Sequence, residues 1–209
     1  MSHGVHAVQH EVEHEIKHGD GHGGPMNLLN NLNKKVALLI GVIALCLAFS
    51  ETLGKSAQTG AISYNVEAAN LWAFFQAKNI RRTTVLTAAE EMAVNAGGVS
   101  DAALKASMTK QIDTWQKVAA RYRSEPEVRE GTVELAVRAR AAETKRDTAM
   151  ARYHHYEVAS AAFQIGIVLA SATVITGMIA LTWLAVGLGG IGLVFTVIGL
   201  FAPHAVHLF

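Results

Sequence analysis

The sequence predicts an all-α membrane protein: three transmembrane helices and an extramembrane, antiparallel, coiled-coil-like helical arm. Three observations carry this. Residues 158–209 contain no Asp, Glu, Lys or Arg and are rich in Ile, Leu, Val, Ala and Gly. A helix crosses a ~30 Å hydrocarbon core with roughly 20 apolar residues, so two crossings fit there. A second uncharged run, VALLIGVIALCLAFS at 36–50, lies between Lys34-Lys35 and Glu51. The charged stretch between the two, 55–157, carries apolar residues at helical spacing and few helix breakers. Backbone groups in lipid must be satisfied internally, and nothing here alternates as a barrel strand does, so the crossings are helices.

In chain order, residues 1–33 read as a polar tail. It carries His3, His6, His10, His14, His18 and His22 among Glu11, Glu13, Glu15 and Asp20. From His6 the histidines recur every fourth residue, which on a helix makes a slanted stripe. Gly19, Gly21, Gly23, Gly24 and Pro25 break any such helix. No apolar core of a signal peptide is present there.

Residues 34–54 form the first crossing, with the flanking lysines free to extend toward the interface. Ala37, Gly41, Ala44 and Ala48 share one face, where another helix can approach closely. The arm occupies 55–157, as helices over about 55–95, 100–124 and 127–157. Gly97 and Gly98 end the first, which can continue directly from the crossing, and Ser100-Asp101 opens the second with capping chemistry. Leu104, Met108, Ile112, Trp115, Ala119 and Tyr122 trace its apolar stripe. Glu125-Pro126 turns the corner, with Pro suited to the first turn of the third helix. That helix has a thin strip of Leu135, Ala139, Ala142, Ala149, Tyr153 and Tyr156, and Trp72 and Phe75 are read as arm packing. Strips this rich in alanine bury little area, so self-association or a partner subunit is expected. The hairpin, 158–202, divides into a helix to about 176, a turn at 177–182 and a helix from Trp183 to Phe201. Gly187, Gly189, Gly190, Gly192 and Gly199 suit close helix packing. Residues 203–209 form a short tail.

The segments NKKVALLIGVIALCLAFSE, NVEAANLWAFFQAKNIRRT and FQIGIVLASATVITGMIALTWLAVGLGGIGLVFTVIGLF resemble the three blocks of a bacterial domain-of-unknown-function family of small inner-membrane proteins. The resemblance covers about 33–201, and its most specific piece is the Trp-Ala-Phe-Phe-Gln-Ala-Lys run at 72–78. It implies a first crossing, a helical middle region and a terminal hairpin, and no catalytic residue or cofactor. Members usually carry basic residues in the hairpin turn, where this chain has Gly177, Met178, Ile179 and Ala180.

Topology follows the Lys/Arg bias near the crossings. Lys34 and Lys35 favour a cytoplasmic N-terminus, whereas Lys55, Arg138, Arg140, Lys145, Arg146 and Arg152 favour a cytoplasmic arm. Long domains translocate largely regardless of charge, so the pair next to the crossing and the family's basic turn decide for a periplasmic arm and a multi-pass protein of the bacterial inner membrane.

Lys and Arg total 18 against 17 Asp and Glu, so no global field points to nucleic acid. The single Cys46 allows no intrachain disulfide or thiolate cluster. The run from His10 to His18 contains His-Glu-x-x-His twice, and histidines four apart on a helix can share a zinc ion. A metalloprotease also needs a third ligand and a cleft, so the stripe of His10, His14, His18 and His22 reads instead as a solvated tail or a loose metal site. His154 and His155 point about 100° apart on a helix and suit interface anchoring, while His204 and His207 suit a headgroup or partner contact. Trp72, Phe74 and Phe75 read as packing. Glu51 sits at the edge of the first crossing and the hairpin carries no carboxylate or basic side chain, which argues against a transporter. The expected function is therefore non-enzymatic: self-assembly, or service as an accessory subunit of a larger membrane complex. The alternatives are a metal-responsive protein working through the histidine stripe and an oligomeric channel whose conductance depends on Glu51.

Overall fold

The computed structural model describes residues 25–206, with side chains from residue 31. The histidine stripe and His207 lie outside the described residues. Within them the chain is all-helical: α1 (Pro25–Gly97), α2 (Ala102–Arg123), α3 (Thr132–Thr176) and α4 (Ile179–Phe201). Three of these, α1, α3 and α4, are long and apolar enough to cross a membrane. The expected first crossing and first arm helix are one uninterrupted helix, and it begins at Pro25, inside the stretch expected to be tail. Proline supplies no N–H to the ladder, so it is well placed at a helix start.

Contacts divide the chain into two units: Ala48–Ser160 with Leu193–Phe209, and Met1–Leu47 with Ala161–Gly192. In the first, α1 is the spine of the arm. Its covered positions run Ser50, Gly54, Ala57, Ala61, Tyr64, Ala68, Leu71, Phe75, Lys78, Arg82, Val85, Ala89, Met92, Ala96, alternating four and three residues apart. That is a heptad seam, and it keeps one narrow face of a long helix toward its partner. After Gly97 the chain reverses, and Asp101 caps α2 by accepting from the amides of Ala103 (2.9 Å) and Leu104 (3.4 Å). Helix α2 returns along α1 as far as Lys78, and α3 continues in the same direction, packing Leu135, Ala139 and Ala142 against Ala68 and Leu71. The arm is thus a long helix faced by two shorter ones laid end to end.

The join between them differs from expectation. A helical turn does start at Pro126, closed by the Arg129 amide bonding the Glu125 carbonyl at 2.9 Å. It stops after one turn because Arg129 takes a left-handed conformation, φ 57°. Helix α3 then begins at Thr132, five residues later than 127. Gly131 is required at the crossing point: a Cβ there would meet the Ser124 Cα and the Glu125 nitrogen at 2.6 Å.

In the second unit, Val36, Ala170 and Ala185 form a small buried cluster with Leu32, Ile40 and Leu169 around it. The reversal between α3 and α4 needs only Gly177 and Met178, so α4 starts four residues before the expected Trp183. Gly177 adopts φ 70° and its amide bonds the Thr173 carbonyl at 2.8 Å, a left-handed helix stop that one glycine can provide alone.

Candidate functional site

In the unit built on Ala48–Ser160, Lys78 is a buried charged side chain. It occupies an α1 seam position between the phenyl ring of Phe74 (5.3 Å) and the ring of Tyr122 (6.0 Å). Its Nζ reaches Glu125 at 3.2 Å and Glu130 at 3.7 Å, with only 8 % of the lysine side chain exposed. Burial of an ammonium is tolerated because two carboxylates and two aromatic faces replace its water. Nearby, Glu134 accepts from the Ser124 hydroxyl and the Glu125 amide. That hydroxyl bond is the main reason its carboxyl is held below the ordinary carboxylate range. The arrangement is a clasp for the α2–α3 join.

Nearly two turns along α1, Trp72 donates from Nε1 to Glu143 at 2.9 Å and meets Phe75 edge to face, centroids 5.4 Å apart. Both aromatics are half-buried. They pack against the buried cluster of Ala68, Leu71, Leu135, Ala139 and Ala142. Further down, an open groove of about 530 Å³ lies between α1 and α3, lined by Gln58, Ala61, Ile62, Asn65, Arg146, Asp147, Met150 and Tyr153. It exists because alanine fills the seam at Ala57, Ala61 and Ala149.

A polar layer closes this unit at the other end. The buried Ser50 hydroxyl donates to the Tyr156 carbonyl (3.2 Å) and receives a bond from Ser160 (3.4 Å). His155 is buried and lies roughly parallel to Phe195; its Nε2 donates to the Pro203 carbonyl at 3.0 Å. A carbonyl only accepts, so that contact places the proton on Nε2. His154 instead approaches Glu157 at 3.8 Å, which separates the roles of two adjacent histidines. His204, expected to meet a headgroup or partner, contacts Thr148 of its own chain at 3.2 Å.

The predicted packing residues fall into two groups. Ala37, Gly41, Ala44 and Ala48 are all exposed, and the covered α1 positions beside them are Val36, Ile40, Ile43 and Leu47. On α4, Gly187 and Gly190 have nothing within 4 Å of a notional Cβ. By contrast, a Cβ on Gly189 would sit 3.7 Å from Ile43, on Gly192 2.7 Å from the Phe163 ring and on Gly199 2.8 Å from the Tyr156 ring. Gly192 and Gly199 therefore make close packing inside the chain, Gly189 is in ordinary contact, and Gly187 and Gly190 have open space beside them.

A family model described as "Domain of unknown function (DUF4337)" matches residues 32–202. The chain belongs to this family. The match takes in the Trp-Ala-Phe-Phe-Gln-Ala-Lys run and both apolar blocks, in agreement with the resemblance read from those residues. No curated protein and no solved structure matches the chain. Sequence reasoning about this DUF4337 member missed Lys78, Ser50 and Gly166, whose Cβ would lie 3.4 Å from the Ala185 carbonyl. A signal for the first was present: a lysine directly after an aromatic pair, at a seam register set by Leu71 and Phe75.

Proposed function

We propose that the protein is a non-enzymatic membrane protein whose role is association, with copies of itself or as an accessory subunit of a larger membrane complex. In this reading α1, α3 and α4 cross the bilayer through 34–54 and 158–202, and the seams of the arm are those of an antiparallel coiled coil. The observation that carries it is the outward set of small residues, Gly41, Gly187 and Gly190, none with an atom within 4 Å of a notional Cβ. A glycine inside a helix costs about 1 kcal/mol relative to alanine, and in lipid a bare glycine surface has no compensating burial. Such positions are retained where a second helix comes close to the backbone. Ala37 and Ala44 lie beside Gly41 and widen the same face.

Lys34 and Lys35 hold the start of α1 on the cytoplasmic side, which places the arm in the periplasm of a bacterial inner membrane. A reporter fused at Gly97 and active only in the cytoplasm would reverse that orientation. The association itself is tested by gentle solubilisation of native membranes followed by identification of co-migrating chains. A monodisperse monomer, with nothing trapped by crosslinking before solubilisation, would end this reading.

A further inference from the structure

The exposed large apolar residues of the α1 arm are Ile62, Val66, Ile80 and Val94. All of them fall on one line. Continued through Thr59, Ala69, Ala73, Gln76, Thr83, Thr87 and Glu90, the line advances by alternating threes and fours, and every position on it is exposed. This is a second heptad stripe, set about 150° around the helix from the seam that holds α2 and α3. Water does not explain it, because an outer face that only meets solvent has no need of apolar residues at seam spacing. From Thr59 to Thr87 it contains no charged residue.

We infer that this stripe takes the same stripe of a second copy, side by side and in register, as a parallel two-stranded coiled coil. The inference rests on the proposed membrane reading, since two copies crossing one bilayer in the same sense carry their α1 helices parallel. Side-chain shape agrees. The positions preceding the three-residue steps are Thr59, Val66, Ala73, Ile80 and Thr87, four of them β-branched, as is usual at the first core position of parallel dimers. Gln76 places one polar layer in the stripe, which meets its own copy only when the two helices are in register. Charge agrees at the base, where Lys55 lies on the stripe and Glu51 one turn below flanks it. A twofold axis parallel to α1 brings each Lys55 within reach of the partner's Glu51, giving two reciprocal pairs. At either end the stripe meets its own charge across the twofold axis: Lys55 is offset by the partner's Glu51, whereas Glu90, with no cation one turn away on α1, closes the stripe. The contact between Thr59 and Thr87 is about 42 Å long at 1.5 Å per residue.

The test uses the full chain in native membranes with Cys46→Ala as background. Single cysteines are introduced as Ile62→Cys, Ile80→Cys and, off the stripe, Glu67→Cys. Oxidation is expected to link Ile62→Cys to itself and Ile80→Cys to itself, leaving Glu67→Cys monomeric. In reconstituted protein, Lys55→Glu is expected to weaken self-association roughly fivefold, with Glu51→Lys added on the same chain restoring it. Links that form only in mixtures of the Ile62→Cys and Ile80→Cys proteins would mean antiparallel pairing and overturn the inference. Oligomers that persist with no link at either stripe position would overturn it while leaving association through the membrane helices intact. A monomer in both assays would remove both readings.

Discussion

Lys78 gives the sharpest test of how the arm is held, because opposite perturbations of one clasp have unequal effects. Replacing Glu125 and Glu130 together by Gln leaves the ammonium in place without its counter-charges. At 3.2 Å from Glu125 the Coulomb attraction is on the order of 5 kcal/mol at an effective dielectric of about 20. Glu125 and Glu130 keep 25 % and 47 % of their side chains exposed, so solvent screens part of this. The double variant is therefore expected to destabilise the join by about 2–3 kcal/mol, below the ~3–5 of a fully buried pair. Lys78→Met removes the charge together with its desolvation cost. It keeps the stem packed near Phe74 and Tyr122, and Glu125 retains Arg121 at 3.4 Å. Its expected cost is under about 1 kcal/mol, and combining all three substitutions should fall near the same value. Hydrogen exchange of the α2 amides in the solubilised full chain reads these differences as local opening free energies. If Lys78→Met opened α2 as much as the double Gln variant does, the lysine would be a net source of stability and the argument from desolvation would be wrong.

Other expectations follow from single positions. Gly199→Leu forces side-chain atoms into Tyr156 and His155 and should cost about 1–3 kcal/mol in thermal unfolding, whereas Gly187→Ala, with open space around it, should leave the monomer as stable or more so; equal losses from the two would contradict the packing described. Asp101→Ala removes the acceptor at the start of α2 and should cost about 1 kcal/mol, seen as faster exchange of the Ala103 and Leu104 amides. Glu134 has a carboxyl whose folded value lies below its unfolded one, so its contribution is complete above the ordinary carboxylate range and disappears as pH falls through the lowered value. Protection at 124–132, corrected for intrinsic exchange, should fall on acidification in the wild type, and Glu134→Gln should flatten that response; an unchanged profile in the variant would remove Glu134 as its source.

Much of the fold was legible because its causes are local. Uncharged length announces a helix that can cross a membrane, and the strip Leu135, Ala139, Ala142 on α3 is a period that any reading of the residues finds. The cap at Asp101 and the stop at Gly97 are also properties of a few neighbouring residues. The Trp72 to Lys78 run carried the family, because so many aromatics in fixed order rarely arise by chance. The start of α3 was not legible. Pro126 is a good first residue of a helix and does begin a turn. What cancels it is the approach of Gly131 to Ser124 and Glu125, a contact between segments whose meeting depends on how α2 and α3 are both laid against α1.

The same division runs through the candidate surfaces. Composition and spacing alone dictated three helices able to cross a membrane, an arm between them, and glycine- and alanine-rich faces suited to close packing, because those follow from the free energy of transfer and from the 3.6-residue turn. They could not say which small residues were already used. Gly192 and Gly199 meet aromatic rings of the same chain, while Gly187 and Gly190 on the same helix meet nothing within 4 Å. Nor could they show that Lys78 is buried and Ile62, Val66 and Ile80 are not. A helix presents every side chain on its surface, and only the placement of its neighbours determines which face is covered and which is left for another molecule.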